Sequence, residues 1–379
     1  MLMLATTAAM IEQFNKNNIL ILEDMGYEVH VIGNWKVGNP ISEERLEQFK
    51  GWLGEHHGKW FHMDSTRKPF DFKNNINSYK KVVELIKLHE YEFIHCHTPI
   101  GSVIGRMAAH KTKKPVVYTA HGFHFFKGAP IKNWILYYPV EYLLSYWTDI
   151  LILINNEDYE RADKYFHAKK NIQIPGVGVD TKKFAYHSEV GKKEELGISE
   201  DKFILLSVGE LLPRKNHRIV IEALHKLNNK SIVYLLAGKG EKQEEYENLT
   251  KNYGLENNIK ILGFRNDVID LCMIADCFIH PSIREGLGIA PLEAMAAGLP
   301  LITADINGMK DYTEDGFSGC CVDPTNVNQM AEAISKMFMD KDFRKQCGKN
   351  NIETVKAYDI SRSNEVMSDI YMRLDKNIK

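Results

Sequence analysis

The sequence of 379 residues contains no apolar run near the roughly 20 residues that a bilayer-crossing helix needs. A membrane-spanning protein is therefore not expected. No charge of one sign dominates: 48 basic against 50 acidic side chains leave a net charge of -2, which argues against nucleic acid as a partner. The six cysteines (Cys96, Cys272, Cys277, Cys320, Cys321, Cys347) fall at no zinc spacing. A chain this long needs no disulfide framework, so reduced thiols and a cytoplasmic setting are expected. No repeat of solenoid length is visible. The opening MLMLATTAA lacks the basic start of an export signal and reads as a first β-strand, which takes support away from a periplasmic binding role.

What the sequence does contain is alternation. Short runs rich in Val, Ile and Tyr are each followed by a segment of helical period, the pattern of a parallel sheet wrapped by helices. One set of runs covers 1–6, 27–32, 93–95, 116–119, 150–154 and 172–175; a second covers 203–208, 233–237, 259–262, 277–280, 301–303 and 320–322. The length also suits two domains at roughly 150 residues each. The expected organisation is α/β, with two Rossmann-like doubly wound units at 1–180 and 181–360. Residues 176 to about 200 carry Gly176, Gly178, Asp180 and the charged run KKEE, a linker composition, and 361–379 opens with the period of an amphipathic helix. Parallel sheets bind ligands at the carboxyl ends of their strands, so a cleft shared by the two units is expected.

The most informative stretch is HPSIREGLGIAPLEAMAAGLP, residues 280 to 300. An apolar strand runs into a glycine loop that opens an Ala-rich helix, with Pro291 near its first turn and Gly298 past its end. Backbone amides of Gly286, Leu287 and Gly288, at the positive end of the helix dipole, suit a diphosphate. Glu285 and Glu293 flank that anion site. Carboxylates there make sense if they accept hydrogen bonds from sugar hydroxyls, and otherwise they are solvated charges; spacing alone leaves both open. In SVGELLPRKNH a strand ends at Gly209 and delivers Arg214 and Lys215 to a helix start. Two such cations can neutralise a diphosphate leaving group, although an isolated RK pair is usually surface.

In the first half, His121 follows a strand and precedes Gly122, where a side chain would look into the cleft. A lone histidine is more often structural. His95 and His97 share a strand face without a third ligand at metal spacing, so no metal is assigned. The only Asp-x-Asp, Asp340-Lys341-Asp342, sits in a helix-period segment as a turn, not at a strand end where it would hold a divalent ion. The loop AGKGEKQE misses the third glycine of a dinucleotide fingerprint, so no NAD is expected.

Together these residues resemble glycosyltransferase family 4, retaining enzymes of GT-B fold, especially the bacterial transferases of capsular and exopolysaccharide assembly. The resemblance is carried by EGLGIAPLE with its two glutamates, the RK pair, AGKGE, LGFRNDV, HPS and PGVGVDTKKF, and it covers nearly the whole chain. It implies that Arg214 and Lys215 bind the donor diphosphate, Gly286 to Gly288 its phosphate, Glu293 the ribose and Glu285 the transferred sugar. Gly263 and Phe264 would border the base, and His121 would reach the donor sugar. One departure stands out: where many members have a glycine pair after the first strand, this chain reads ATTAAMIEQF, whose backbone approaches a ligand less freely.

The resemblance implies a retaining, metal-independent transfer of a hexose or N-acetylhexosamine from a UDP-sugar to a saccharide, plausibly lipid-linked through undecaprenyl diphosphate. The final helix would cross back to the first domain. Two alternatives stay open: a sugar-nucleotide 2-epimerase or hydrolase of the same fold, and a noncatalytic sugar-nucleotide-binding protein. Residues 101 to 150 hold six cations (Arg106, Lys111, Lys113, Lys114, Lys127, Lys132) and the aromatic run WILYYPVEYLLSYW. That segment could seat the domain on anionic lipid at the inner face of the cell membrane, or it could be a core helix.

Overall fold

A computed structural model describes residues 1–185 and 191–378; residues 186–190 of the expected linker, and Lys379, lie outside the described residues. The chain divides into two compact units, Met1–Val177 together with the residues from Ser361 on, and Gly178–Ile360.

The first unit contains β1 (Leu2–Thr7), β2 (His30–Asn34), β3 (Lys59–His62), β4 (Ile94–His97), β5 (Val116–Ala120), β6 (Ile150–Leu153) and β7 (Lys170–Gln173). They form one sheet in the order β3-β2-β1-β4-β5-β6-β7, with every neighbouring pair parallel. The inner strands are buried on both faces, as parallel strands covered by helices must be, and this is why they read as unbroken apolar runs. Strand β3 has no such run. KWFH is an edge strand half open to solvent, and only its pairing with β2 (His30↔Lys59) makes it a strand. The run expected at 27–32 pairs only from His30, and the one at 172–175 is a strand two residues earlier.

The second unit contains β8 (Phe203–Val208), β9 (Ile232–Ala237), β10 (Ile259–Gly263), β11 (Cys277–His280), β12 (Leu301–Ala304) and β13 (Gly319–Val322), all parallel, in the order β10-β9-β8-β11-β12-β13. Its core packs the apolar face of the helix Arg218–Leu227 (Ile219, Val220, Ala223, Leu224) against these strands. In both sheets the direction of winding reverses beside the first strand, between β1 and β4 and between β8 and β11. Loops that leave neighbouring strands in opposite directions open a crevice at their carboxyl ends. In the second unit those loops are the ones after Val208 and after His280.

One surface expectation is corrected by burial. Arg106, counted among the lipid-facing cations, is 1% exposed and its Nη2 donates to Glu141 Oε2 at 2.7 Å and to Ser102 Oγ at 3.0 Å. Its guanidinium lies 4.3 Å from the centre of the Tyr118 ring, and Tyr118 donates to the other Glu141 oxygen at 3.3 Å. These contacts tie the aromatic helix Ile131–Ser145 to the helix Pro99–Thr112 and, through Tyr118, to β5. Glu141→Gln strands a buried guanidinium and should cost about 3–5 kcal/mol in urea unfolding, whereas the double change Arg106→Met with Glu141→Leu should recover most of it.

Candidate active site

Beyond β8 the chain passes Gly209 and Leu211 and enters the short turn Pro213–Lys215 ahead of the helix Arg218–Leu227. The loop after β9 runs so close beneath it that a Cβ on Gly238 would lie 1.8 Å from the Gly209 carbonyl oxygen, so only glycine fits there. Asn216 adopts the left-handed conformation (φ 56°), which asparagine tolerates, and its Nδ2 donates to the carbonyls of Pro281 (3.2 Å) and Pro324 (2.8 Å). The Ile283 amide donates to the Arg214 carbonyl at 2.9 Å. The two crevice loops are thereby clamped to each other.

A buried chain of hydrogen bonds supports the clamp from below. Tyr234 donates to Ser207 Oγ at 2.9 Å, and Ser207 donates to the Ile279 carbonyl. With the tyrosine proton committed, His217 Nδ1, 3.0 Å from Tyr234 Oη, must be the donor, which sets its tautomer.

On this base Lys215 Nζ lies 2.6 Å and Arg214 Nη1 3.5 Å from the same oxygen of Glu285. His280 Nε2 is 3.2 Å from that oxygen and 3.1 Å from Ser282 Oγ. His280 Nδ1 is buried without a partner among the described residues, so keeping the ring proton on Nε2 avoids an unsatisfied N–H. Burial works to raise the Glu285 pKa, but Lys215, His280 and Arg214 outweigh it and hold the carboxyl well below the usual range. Burial, then Lys215, pushes His280 down to about 4, so the ring is neutral beside an ionised carboxylate.

From Glu285 the loop continues through Gly286 and Leu287 to Gly288 (φ 88°), which precedes the helix Ile289–Ala296. Tyr312 donates to the Leu287 carbonyl at 2.7 Å and fixes the loop where it enters the helix. The first amides of a helix lack partners within it and face the loop side.

Glu293 stands about one turn into this helix, and its side chain makes no ion pair or hydrogen bond among the described residues. Burial pushes its carboxyl up to about 7, partly offset by Lys183. Arg214, Lys215 and Glu285 therefore meet directly, and Gly209 sits under the Lys215 stem, its ideal Cβ 3.7 Å from Lys215 Cε. Among the described residues, Glu293 bonds to none of the three. Gly263 and the exposed Phe264 mark the end of β10, two strands from β8. Sequence reasoning did not name His280, Ser282, Asn307 or Tyr312 as site residues. His280 and Ser282 straddle Pro281 at a strand end, a usable signal; Asn307 and Tyr312 arrive from a distant segment and carry none.

Known proteins share the sequence and the fold. Residues 191–354 match the model of Glycosyl transferases group 1, and residues 19–183 match that of Glycosyltransferase Family 4. EpsD of Bacillus subtilis, named as a glycosyltransferase, is 36% identical over 358 residues, covering 92% of this chain and 90% of its own. An Escherichia coli UDP-Gal:alpha-D-GlcNAc-diphosphoundecaprenol alpha-1,3-galactosyltransferase is 30% identical over 320 residues, 81% of each chain. The chain belongs to the family 4 glycosyltransferases. Its fold is GT-B, like that of Anabaena HepE in complex with UDP-glucose, with a TM-score of 0.78 at 22% identity over 98% of this chain and 99% of the other.

In the first unit of the transferase, His121 follows β5 and its Nε2 is 3.3 Å from His97 Nδ1. His95 is tied off by Thr119 (2.8 Å) and by Tyr371 of the final helix (2.8 Å). Burial pushes the His121 pKa down to about 4. The expected loop within ATTAAMIEQF is instead the end of β1 running directly into the helix Ala8–Phe14; Ala8 and Ala9 are fully buried, and Thr6 Oγ1 accepts from the Gly101 amide at 3.0 Å.

The Glu293 carboxyl titrates higher folded than unfolded, so its burial costs nothing below about pH 4.5 and opposes folding increasingly up to about pH 7. Glu293→Gln should therefore stabilise the second unit above pH 7 by at most about 3 kcal/mol, with the gain vanishing below pH 4.5, as followed by urea unfolding across pH.

Proposed function

We propose that this transferase moves a hexose or N-acetylhexosamine from a UDP-sugar to a saccharide carried on undecaprenyl diphosphate, in cell-surface polysaccharide synthesis, with retention of configuration and without a resident metal. The observation that carries the reading is the convergence of Lys215, Arg214 and Glu285 at the switch point of the second sheet. Two cations beside the opening of a helix suit a diphosphate, and an ionised carboxylate held by them suits sugar hydroxyls. The galactosyltransferase relative acts on a diphosphoundecaprenol-linked sugar, which supports a lipid-linked acceptor. An acceptor of that kind stays in the bilayer, so the enzyme meets it at a membrane surface.

In the proposed reaction the bond between the anomeric carbon and the β-phosphate oxygen breaks, and its electron pair stays on the phosphate. The acceptor hydroxyl oxygen bonds to the same face of that carbon, and its proton passes to the departing phosphate. Arg214, Lys215 and the amides after Glu285 stabilise the charge that develops on UDP. Glu285 holds the transferred sugar, with neutral His280 and Ser282 fixing its carboxylate. Glu293 accepts from the ribose hydroxyls, Gly263 and Phe264 border the base, and His121, uncharged because it is buried, serves the donor sugar as a neutral hydrogen-bonding group.

Lys215→Met should weaken UDP binding about 10- to 100-fold by calorimetry, the worth of a charge-assisted phosphate contact. Glu285→Gln removes the anion that competes for Lys215, so UDP should bind at least as well while sugar transfer falls about 100-fold or more. Full transfer by Glu285→Gln, or a product of inverted anomeric configuration by NMR, would overturn the assignment.

A further inference from the structure

The helix Ile131–Ser145 is apolar nearly all the way round, and a helix of that kind is ordinarily buried on every side. Here only one side is covered. Trp134, Tyr137, Tyr138 and Tyr142 pack on the core of the first unit, and Glu141, the helix's one acid, turns inward to Arg106. The opposite side presents Ile131 (77% exposed), Ile135 (71%), Leu143 (62%) and, just past the helix end, Tyr146 (55%), with Val140 and Trp147 between and beside them. Positions 131, 135, 139–140, 143 and 146–147 repeat at helical spacing, so these residues form one continuous outward stripe.

Cations frame the stripe at both ends. Lys127 and Lys132 are exposed at its start. At its finish the Trp147 ring stacks on His110 at 4.1 Å, and His110 is followed by the exposed Lys111 and Lys113. The Tyr146 ring stacks on His167 at 4.2 Å, while Lys169, close in sequence, is already paired with Asp149 at 2.6 Å and adds no free cation. A second copy of this chain laid on the stripe, parallel or antiparallel, would set lysine against lysine at both ends. An anionic surface has the complementary charge, and rings such as Tyr146 and Trp147 favour the boundary between headgroups and acyl chains. With 15 residues the helix is about 22 Å long, too short to span a bilayer and suited to lying in its surface.

We propose that the outward stripe of the helix Ile131–Ser145, with Tyr146 and Trp147, docks the first unit on an anionic lipid surface, the apolar residues entering the headgroup region and the flanking lysines pairing with lipid phosphates. This deepens the reading above by naming the face on which a lipid-linked acceptor is met, and rests on that reading only for its purpose.

The full chain should co-sediment with vesicles containing phosphatidylglycerol, and much less with pure phosphatidylcholine. The double variant Ile135→Ser with Leu143→Ser should lose about ten-fold or more of that partitioning. It should bind UDP like the unaltered chain, which checks that the fold is kept. An unaltered chain that stays in the supernatant, or a double variant that binds lipid equally well, overturns the proposal. So does a dimer in sedimentation velocity that the double variant abolishes, since the stripe would then be covered by a second copy. Vesicle binding without sugar transfer to any acceptor would sink the proposed reaction and leave the docking face standing.

Discussion

Lys215 and Glu285 lie 2.6 Å apart with side chains only 11% and 14% exposed, and neither charge is tolerable there without the other. That mutual need joins two loops which leave neighbouring strands in opposite directions. The parallel order of the sheet puts both loops at one end, and the Asn216 and Ile283 hydrogen bonds hold them in register. Arg214, His280 and Ser282 then gather on the same carboxylate, so one pair organises the crevice.

Burial does more than crowd these groups. It makes His280 a neutral donor next to an ionised acid, and it makes Glu293, on the helix that follows, hard to ionise below about pH 7. Two carboxylates eight positions apart thus have opposite tendencies, the first because cations surround it and the second because little offsets its desolvation. Hydroxyl-bearing ligands suit such a site, since each carboxyl can accept hydrogen bonds.

The first unit is built to the same sheet logic but treats its polar groups differently. His95, His97 and His121 lie together at the ends of β4 and β5, and all three are held neutral by burial. The Arg106–Glu141 pair anchors a helix whose inner face is aromatic, and that anchorage leaves its other apolar face outward.

The alternation of apolar runs and helical segments was enough to establish two parallel-sheet units, because strands buried on both faces must be apolar without interruption. The RK pair and Glu285 were legible as neighbours, since each stands just past a strand end, where chain direction alone brings it to the crevice, whereas Glu293 stands on the helix that follows. Edge strand β3 was not legible, because a strand with solvent on one side needs no apolar run and is defined by its partner. Nor could spacing reveal that Asn307 and Tyr312 reach the loop after β11, or that Arg106 is buried while Ile135 and Leu143 are exposed. Those outcomes depend on which face of each helix meets the sheet, and a helix apolar on every side carries no mark of that choice in its own residues.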